Sequence, residues 1–157
     1  MTTSHLLSHP TDPDGKIAML CYKNGALARE HIRDRFASGD WKVFNNLVER
    51  CPPGCNGYKG FYFLLPEIIP PGVVGEYFFA THPIDQSSKT PLPVKDFPES
   101  FHPRAIIESQ LLSIRSRIAA ILPKNSPPLK RLVITGGSSA NKTIRQMIAV
   151  RRMIYPD

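Results

Sequence analysis

The chain has 157 residues, enough for one domain with a modest core; 41% of them are apolar and 21% charged, close to the globular average. There is no apolar run of the roughly 18 residues that cross a bilayer, and no cationic head leading into an apolar block, so the sequence reads as soluble and cytoplasmic, with no membrane partner. The formal net charge of +7 suits an anionic partner, but basic residues such as Arg29, Arg35, Lys42, Arg115, Arg131 and Arg145 are scattered rather than interleaved with aromatics, which weighs against nucleic acid.

In chain order, residues 1–16 are polar, contain Pro10 and Pro13, and read as a linker or truncated end. Residues 17–22 (IAMLCY) form a continuous apolar run, the mark of a buried strand. Lys23-Asn24-Gly25 follows, and Asn-Gly is the strongest short hairpin signal because both residues tolerate positive φ. Residues 26–32 can be the returning strand or the start of a helix; the hairpin is the favoured reading. Ser38 or Asp40 caps the next helix, which carries Trp41, Phe44, Leu47 and Val48 on one face and stops before Pro52. Cys51 and Cys55 stand alone where a structural zinc needs four ligands at matched spacing, and with Cys21 they make an odd count. They read as free thiols, with no metal site.

Residues 57–69 (GYKGFYFLLPEII) are aromatic and strand-forming, with Pro66 restricting them to an edge or a bend. Pro70-Pro71-Gly72 turns the chain, residues 75–81 (GEYFFAT) form another extended segment, and residues 82–102 read as a proline-rich loop. His102-Pro103 opens a long helix with Ile106, Ile107, Gln110, Leu111, Ile114, Ile118, Ile121 and Leu122 as its apolar stripe. Residues 124–129 are a loop, 131–135 a final strand, and 141–151 a final helix with Ile144, Met147 and Ile148 on its apolar side. Extended segments followed by helix, strand and helix predict an α/β or α+β layered domain.

The stretch TGGSSAN (135–141) is not a P-loop, since GxxxxGK[ST] requires glycine at position 141 and the residue there is Asn141; nor is it GxGxxG. What remains is a strand entering Gly136-Gly137, where no Cβ blocks close approach. Ser138, Ser139 and Asn141 then supply polar groups and a helix cap. Free N–H groups at a helix start favour a negative or polar ligand, although a tight turn calls for the same small residues and, on this stretch alone, is the favoured reading. Trp41 can be a core residue or an aromatic wall for a base, and core is favoured. The carboxylates are dispersed and compose no acid/base motif, so no catalytic residue is named.

Five blocks occur in one order: MLCYKNGALARE (19–30), GDWKVFNNLVE (39–49), GFYFLLPEIIP (60–70), HPRAIIESQLLSIRSRI (102–118) and LVITGGSSANKTIRQMIA (132–149). This series resembles the C-terminal half of xylulokinases of the FGGY carbohydrate kinase family, the fungal D-xylulose kinases above all. The resemblance implies an actin-like, ribonuclease H-like α/β fold with a mixed sheet and flanking helices, residues 17–157 forming part of the nucleotide-binding domain. It implies ATP and Mg2+ as cofactors. It sets the turn at Gly136 and Gly137 against adenosine and phosphate, with Gly137, Ser138 and Asn141 at contacting positions and Trp41 at the nucleotide site. It also implies that the sugar-binding domain, with its catalytic aspartate, lies outside this chain, so that D-xylulose is met only through that domain. The expected activity is transfer of the γ-phosphate of ATP to D-xylulose, absent from this chain alone. The competing expectation is a non-catalytic remnant or interaction module that retains part of the fold.

Overall fold

The computed structural model describes residues 4–81, 90–122 and 131–149. Its strands form two separate antiparallel sheets. β1 (Ser4–Ser8) pairs with β2 (Lys16–Leu20), and β3 (Tyr58–Phe63) pairs with β4 (Gly75–Ala80), which also pairs with β5 (Leu92–Pro93). The helices are α1 (Ala26–Phe36), α2 (Trp41–Arg50), α3 (His102–Ile121) and α4 (Lys142–Ala149). The α/β composition therefore holds, and the expected mixed sheet does not form among the described residues.

The core lies where α3 packs against β3, α1 and α2. Ala28 and Ile32 come from α1, Phe44 and Val48 from α2, and Ala105, Ile106 and Ile107 from the first turns of α3. α2 forms as its pattern dictates: the Asp40 carboxylate accepts from the Lys42 N–H at 2.6 Å and Phe44 and Val48 are buried on one face. α3 begins at His102-Pro103, and its buried residues end at Glu108. Beyond that point the stripe thins: Leu111 and Ile118 are half-buried, and Ile114, Ile121 and Leu122 are exposed.

The β3–β4 ladder pairs Gly60 with Phe78 and Phe61 with Tyr77. One face carries Tyr62 and Phe78, which meet His102 edge-on. The opposite face carries the cross-strand aromatic pairs Phe61–Phe79 and Phe63–Tyr77. Strand β3 ends at Phe63, ahead of Pro66, and Gly72 makes the following turn at φ 75.

Four expectations are corrected. Residues 4–8 are a strand rather than a linker, because they pair in register with 16–20, Ser4 opposite Leu20 and Ser8 opposite Lys16. The run at 17–22 does form a strand, β2 (Lys16–Leu20), but not a buried one, since no second layer among the described residues covers this two-stranded ribbon; Ile17 and Met19 are exposed. Residues 26–32 are helix, not a returning strand. Gly25 sits at φ −75, so the positive-φ turn that an Asn-Gly hairpin needs is never made. Finally, residues 131–135 form no strand and lie in neither sheet, with Leu132 and Val133 exposed, because no strand among the described residues pairs with them. The loop at 82–102 contains β5 and a short helical turn at Glu99–Phe101; its residues 82–89, the loop at 124–129 and the helix end after Ala149 lie outside the described residues.

Candidate functional site

The turn after residue 135 begins with Gly136 at φ 75 and ψ −173, a conformation open to glycine, and a Cβ at Gly136 or Gly137 would meet nothing within 4 Å. Open space beside two glycines is the room a ligand would need. Gly137–Ala140 then form a single helical turn, closed by the Ser139 N–H donating to Gly136 O at 3.0 Å. Asn141 caps α4: its Oδ1 accepts from the Ile144 N–H at 3.1 Å. Its Nδ2 donates to Asn45 Oδ1 on α2 at 2.9 Å, which fixes the amide's orientation. Thr143 Oγ1 adds a second tie, to Glu49 Oε1 at 2.7 Å.

α2 is thus tied to the start of α4 through Asn45 and Glu49. Trp41 lies one helical turn before Asn45, on the same face of α2. Trp41 is half-buried, meets Phe44 edge-on at 5.1 Å, and carries the Arg33 guanidinium 4.8 Å from its ring centroid. The structure therefore ties Asn141, at the end of the turn that holds Gly136, Gly137 and Ser138, to the helix that carries Trp41, and packs Trp41 itself against the core.

Behind the turn stands Arg29 of α1. Its Nη2 donates to Ser138 Oγ at 2.7 Å and its Nη1 to Gln110 Oε1 at 2.5 Å. Burial lowers the Arg29 pKa from its ordinary value, with nearby Glu30 opposing the shift. Gln110 Nε2 in turn donates to the carbonyls of Asn24 and Gly25 at 2.8 and 2.9 Å. The start of α1 is gripped from a second side by Glu67. Its carboxylate accepts from the backbone N–H groups of Lys23 (2.7 Å), Asn24 (3.0 Å) and Ile68 (2.7 Å) and from Asn24 Nδ2 (2.9 Å). Burial alone would raise the Glu67 pKa, but these donors outweigh it and hold the carboxyl below its ordinary value. The Asn24 side chain also pairs with Leu65 as a strand backbone would, exchanging bonds with its N–H and C=O at 2.9 Å each. Sequence reading missed Arg29, Gln110 and Glu67 as site-building residues; their bonds to other elements span 43 to 109 positions.

A cavity of about 540 Å3 shares Arg29 and Gln110 with this assembly. Its walls are the outer aromatic face of β3–β4 (Phe61, Phe63, Tyr77, Phe79), Ile69 with Pro70, and Ile106 and Ile114 of α3. Tyr22, just past β2, lines it too, and the Tyr22 hydroxyl is buried with no hydrogen-bond partner among the described residues.

Other buried polar groups serve the core. His102 stacks on Phe36 at 4.0 Å between ring centroids, and its Nδ1 lies 2.8 Å from the Tyr62 hydroxyl. Burial pushes His102 down to about 4, Glu76 opposing and Arg35 adding to the shift, so it is neutral near pH 7. Cys51 and Cys55 are buried free thiols with their sulfurs 3.6 Å apart. Burial raises both, and the neighbouring Glu108 adds to the shift at Cys55. Among the described residues no three His, Cys, Asp or Glu side chains gather as a metal-holding group. No described helix is long and apolar enough to cross a membrane.

No family model matches the chain. It is similar to proteins named xylulose kinases. It is 40% identical over 149 residues to xylulose kinase 2 of Arabidopsis thaliana and 36% identical over 145 residues to xylulose kinase of Mus musculus. It is 35% identical over 163 residues to a protein named probable D-xylulose kinase A in Aspergillus clavatus. Each match covers 92% of this chain but only 26%, 24% and 28% of the relative. The chain is therefore homologous to xylulose kinases of plants, mammals and fungi, and it spans about a quarter of the length of the curated relatives it matches.

Proposed function

We propose that this chain is the ATP-binding part of a D-xylulose kinase with an actin-like nucleotide domain, and that it transfers no phosphate alone. The observation that supports the reading is an open Gly136-Gly137 turn followed by Ser138 and by Asn141, which is bonded to the helix that carries Trp41, in a chain homologous to xylulose kinases. Glycines let backbone approach a nucleotide, a hydroxyl and an amide orient ribose or phosphate, and an indole offers a surface for a base. In this reading ATP arrives with Mg2+ on its phosphates. The γ-phosphate passes to D-xylulose, held by the part of the relatives that this chain does not span. Phosphoryl transfer depends on positioning both substrates and spreading charge, and one wall of a cleft positions one substrate.

The test is to follow Trp41 fluorescence while titrating folded protein with ATP-Mg, and then to run a coupled assay with D-xylulose on this chain alone and mixed with a sugar-binding half. A saturable change with turnover only in the mixture is expected. No saturable change in a folded sample would remove the nucleotide site.

A second reading, an interaction module that keeps part of the kinase fold, is favoured by the apolar cavity at Tyr22 and by the bare stripe of α3 at Ile114, Ile121 and Leu122. Stable association with the sugar-binding half, without nucleotide binding by either mixture or fragment, would select it.

A further inference from the structure

We propose that Arg29 is the positioning residue of the 136–140 turn, and that by holding Ser138 as an acceptor it makes the Ser138 hydroxyl the turn's hydrogen-bond donor to a ligand oxygen. This rests on the nucleotide reading for the identity of the ligand, but not for the geometry.

The turn needs an outside support. The segment that leads into it, residues 131–135, belongs to neither sheet of the described residues. On its far side Asn141 is tied to Asn45. On its near side the tie is the 2.7 Å bond from Arg29 Nη2 to Ser138 Oγ, across 109 positions of sequence. Arg29 is itself held, since Gln110 accepts from Nη1 through its oxygen and spends its nitrogen on the carbonyls of Asn24 and Gly25. The position of the turn is thus referred back to the start of α1, which Glu67 grips.

The direction of the bond has a chemical consequence. A serine hydroxyl has one proton and two lone pairs. A guanidinium can only donate, so it occupies a lone pair of Ser138 and leaves the proton to be given elsewhere. Among the described residues no acceptor takes that proton. Ser139, one residue on, is arranged the other way: its Oγ donates to Gly136 O at 2.7 Å, so its proton is already used inside the turn. Two adjacent serines that the sequence makes equivalent therefore differ, one offering a donor and one not. A cation bonded directly behind the Ser138 oxygen strengthens that donor and favours an electron-rich acceptor. Among nucleotide groups this is a phosphate or ribose oxygen.

Two measurements on the full chain test the proposal. Amide hydrogen exchange at 136–141 needs no ligand. It is expected to speed up at least tenfold in Arg29→Met and less in Arg29→Lys, which keeps the stem and charge but one fewer arm; unchanged exchange in both would overturn the positioning role. Titration with ADP is expected to be about tenfold weaker for Ser138→Ala and within twofold of wild type for Ser139→Ala, as loss of one charge-assisted bond implies. In Arg29→Met the further change Ser138→Ala is expected to add less than twofold, because the two residues act as one unit. Equal losses at 138 and 139, or additive losses at 29 and 138, would overturn the donor assignment. Adenosine separates the acceptors: a loss confined to ADP assigns phosphate, and an equal loss on both assigns ribose. If wild type binds neither, the nucleotide reading and the donor assignment fail together, while the exchange measurement still decides the Arg29 role.

Discussion

The packed centre of the molecule and its β1–β2 ribbon contain similar residues and treat them in opposite ways. Phe44, Ile32 and Ile106 are at most 1% exposed, enclosed by α1, α2, α3 and β3. Leu6 in β1 is 69% exposed, and Val133 in the unpaired segment is 71% exposed. The difference lies in what each residue has opposite it. Helices α1–α3 close on one another within this chain, whereas β1 presents an edge, residues 131–135 have no ladder partner among the described residues, and Ile114 and Ile121 in the second half of α3 are exposed. The centre is a finished core; the periphery has local structure whose apolar surface is not covered by the described residues.

That contrast can be broken or sharpened by mutation. The largest effect is expected at the centre: Phe44→Ala should cost about 3–5 kcal/mol in denaturant unfolding, from lost burial plus the cavity left behind. Glu67→Gln should come next, at about 2–3 kcal/mol, since the neutral amide cannot accept from all of its buried donors and turns its own NH2 towards them. A pH series locates the same centre. His102 stays neutral down to about 4 in the fold but takes a proton near 6.5 when unfolded, so stability is full above pH 6.5 and falls as pH drops towards 4. Glu67, held below its ordinary 4.5, adds a loss only below that value. The slope of Tm between pH 6.5 and 4.5 should therefore flatten in His102→Gln and persist in Glu67→Gln. Asp40→Ala should cost about 1 kcal/mol through the lost α2 cap. The smallest effect is expected at the periphery. Val133→Thr should change the stability of this chain by no more than about 0.5 kcal/mol, yet weaken its association with a sugar-binding half, as read by co-purification. A large intrinsic loss at Val133 would dissolve the contrast.

Much of the centre was legible because its signals are local. The cap at Asp40 and the spacing of Phe44 and Val48 gave α2, and His102-Pro103 with the isoleucine stripe gave α3. Asn24-Gly25 misled for a physical reason: the pair is a hairpin signal only when free to adopt positive φ, and here Glu67, Leu65 and Gln110 hold it in place for a helix start. At the site, Gly136, Gly137, Ser138 and Asn141 were readable as small and polar residues before a helix. Arg29 was one of several scattered basic residues until folding set it against Ser138.

By itself, then, the sequence determined whatever depends on neighbours a few positions apart: helix faces, caps, the small-residue turn, and the five ordered blocks that resemble xylulokinases. Tertiary structure decided what depends on partners far along the chain: that residues 26–32 coil rather than return as a strand, that residues 131–135 find no ladder among the described residues, and that of two adjacent serines one is held by a buried guanidinium. A hydrogen bond across 109 positions leaves no periodicity to read; it exists only once packing has brought its two ends to 2.7 Å.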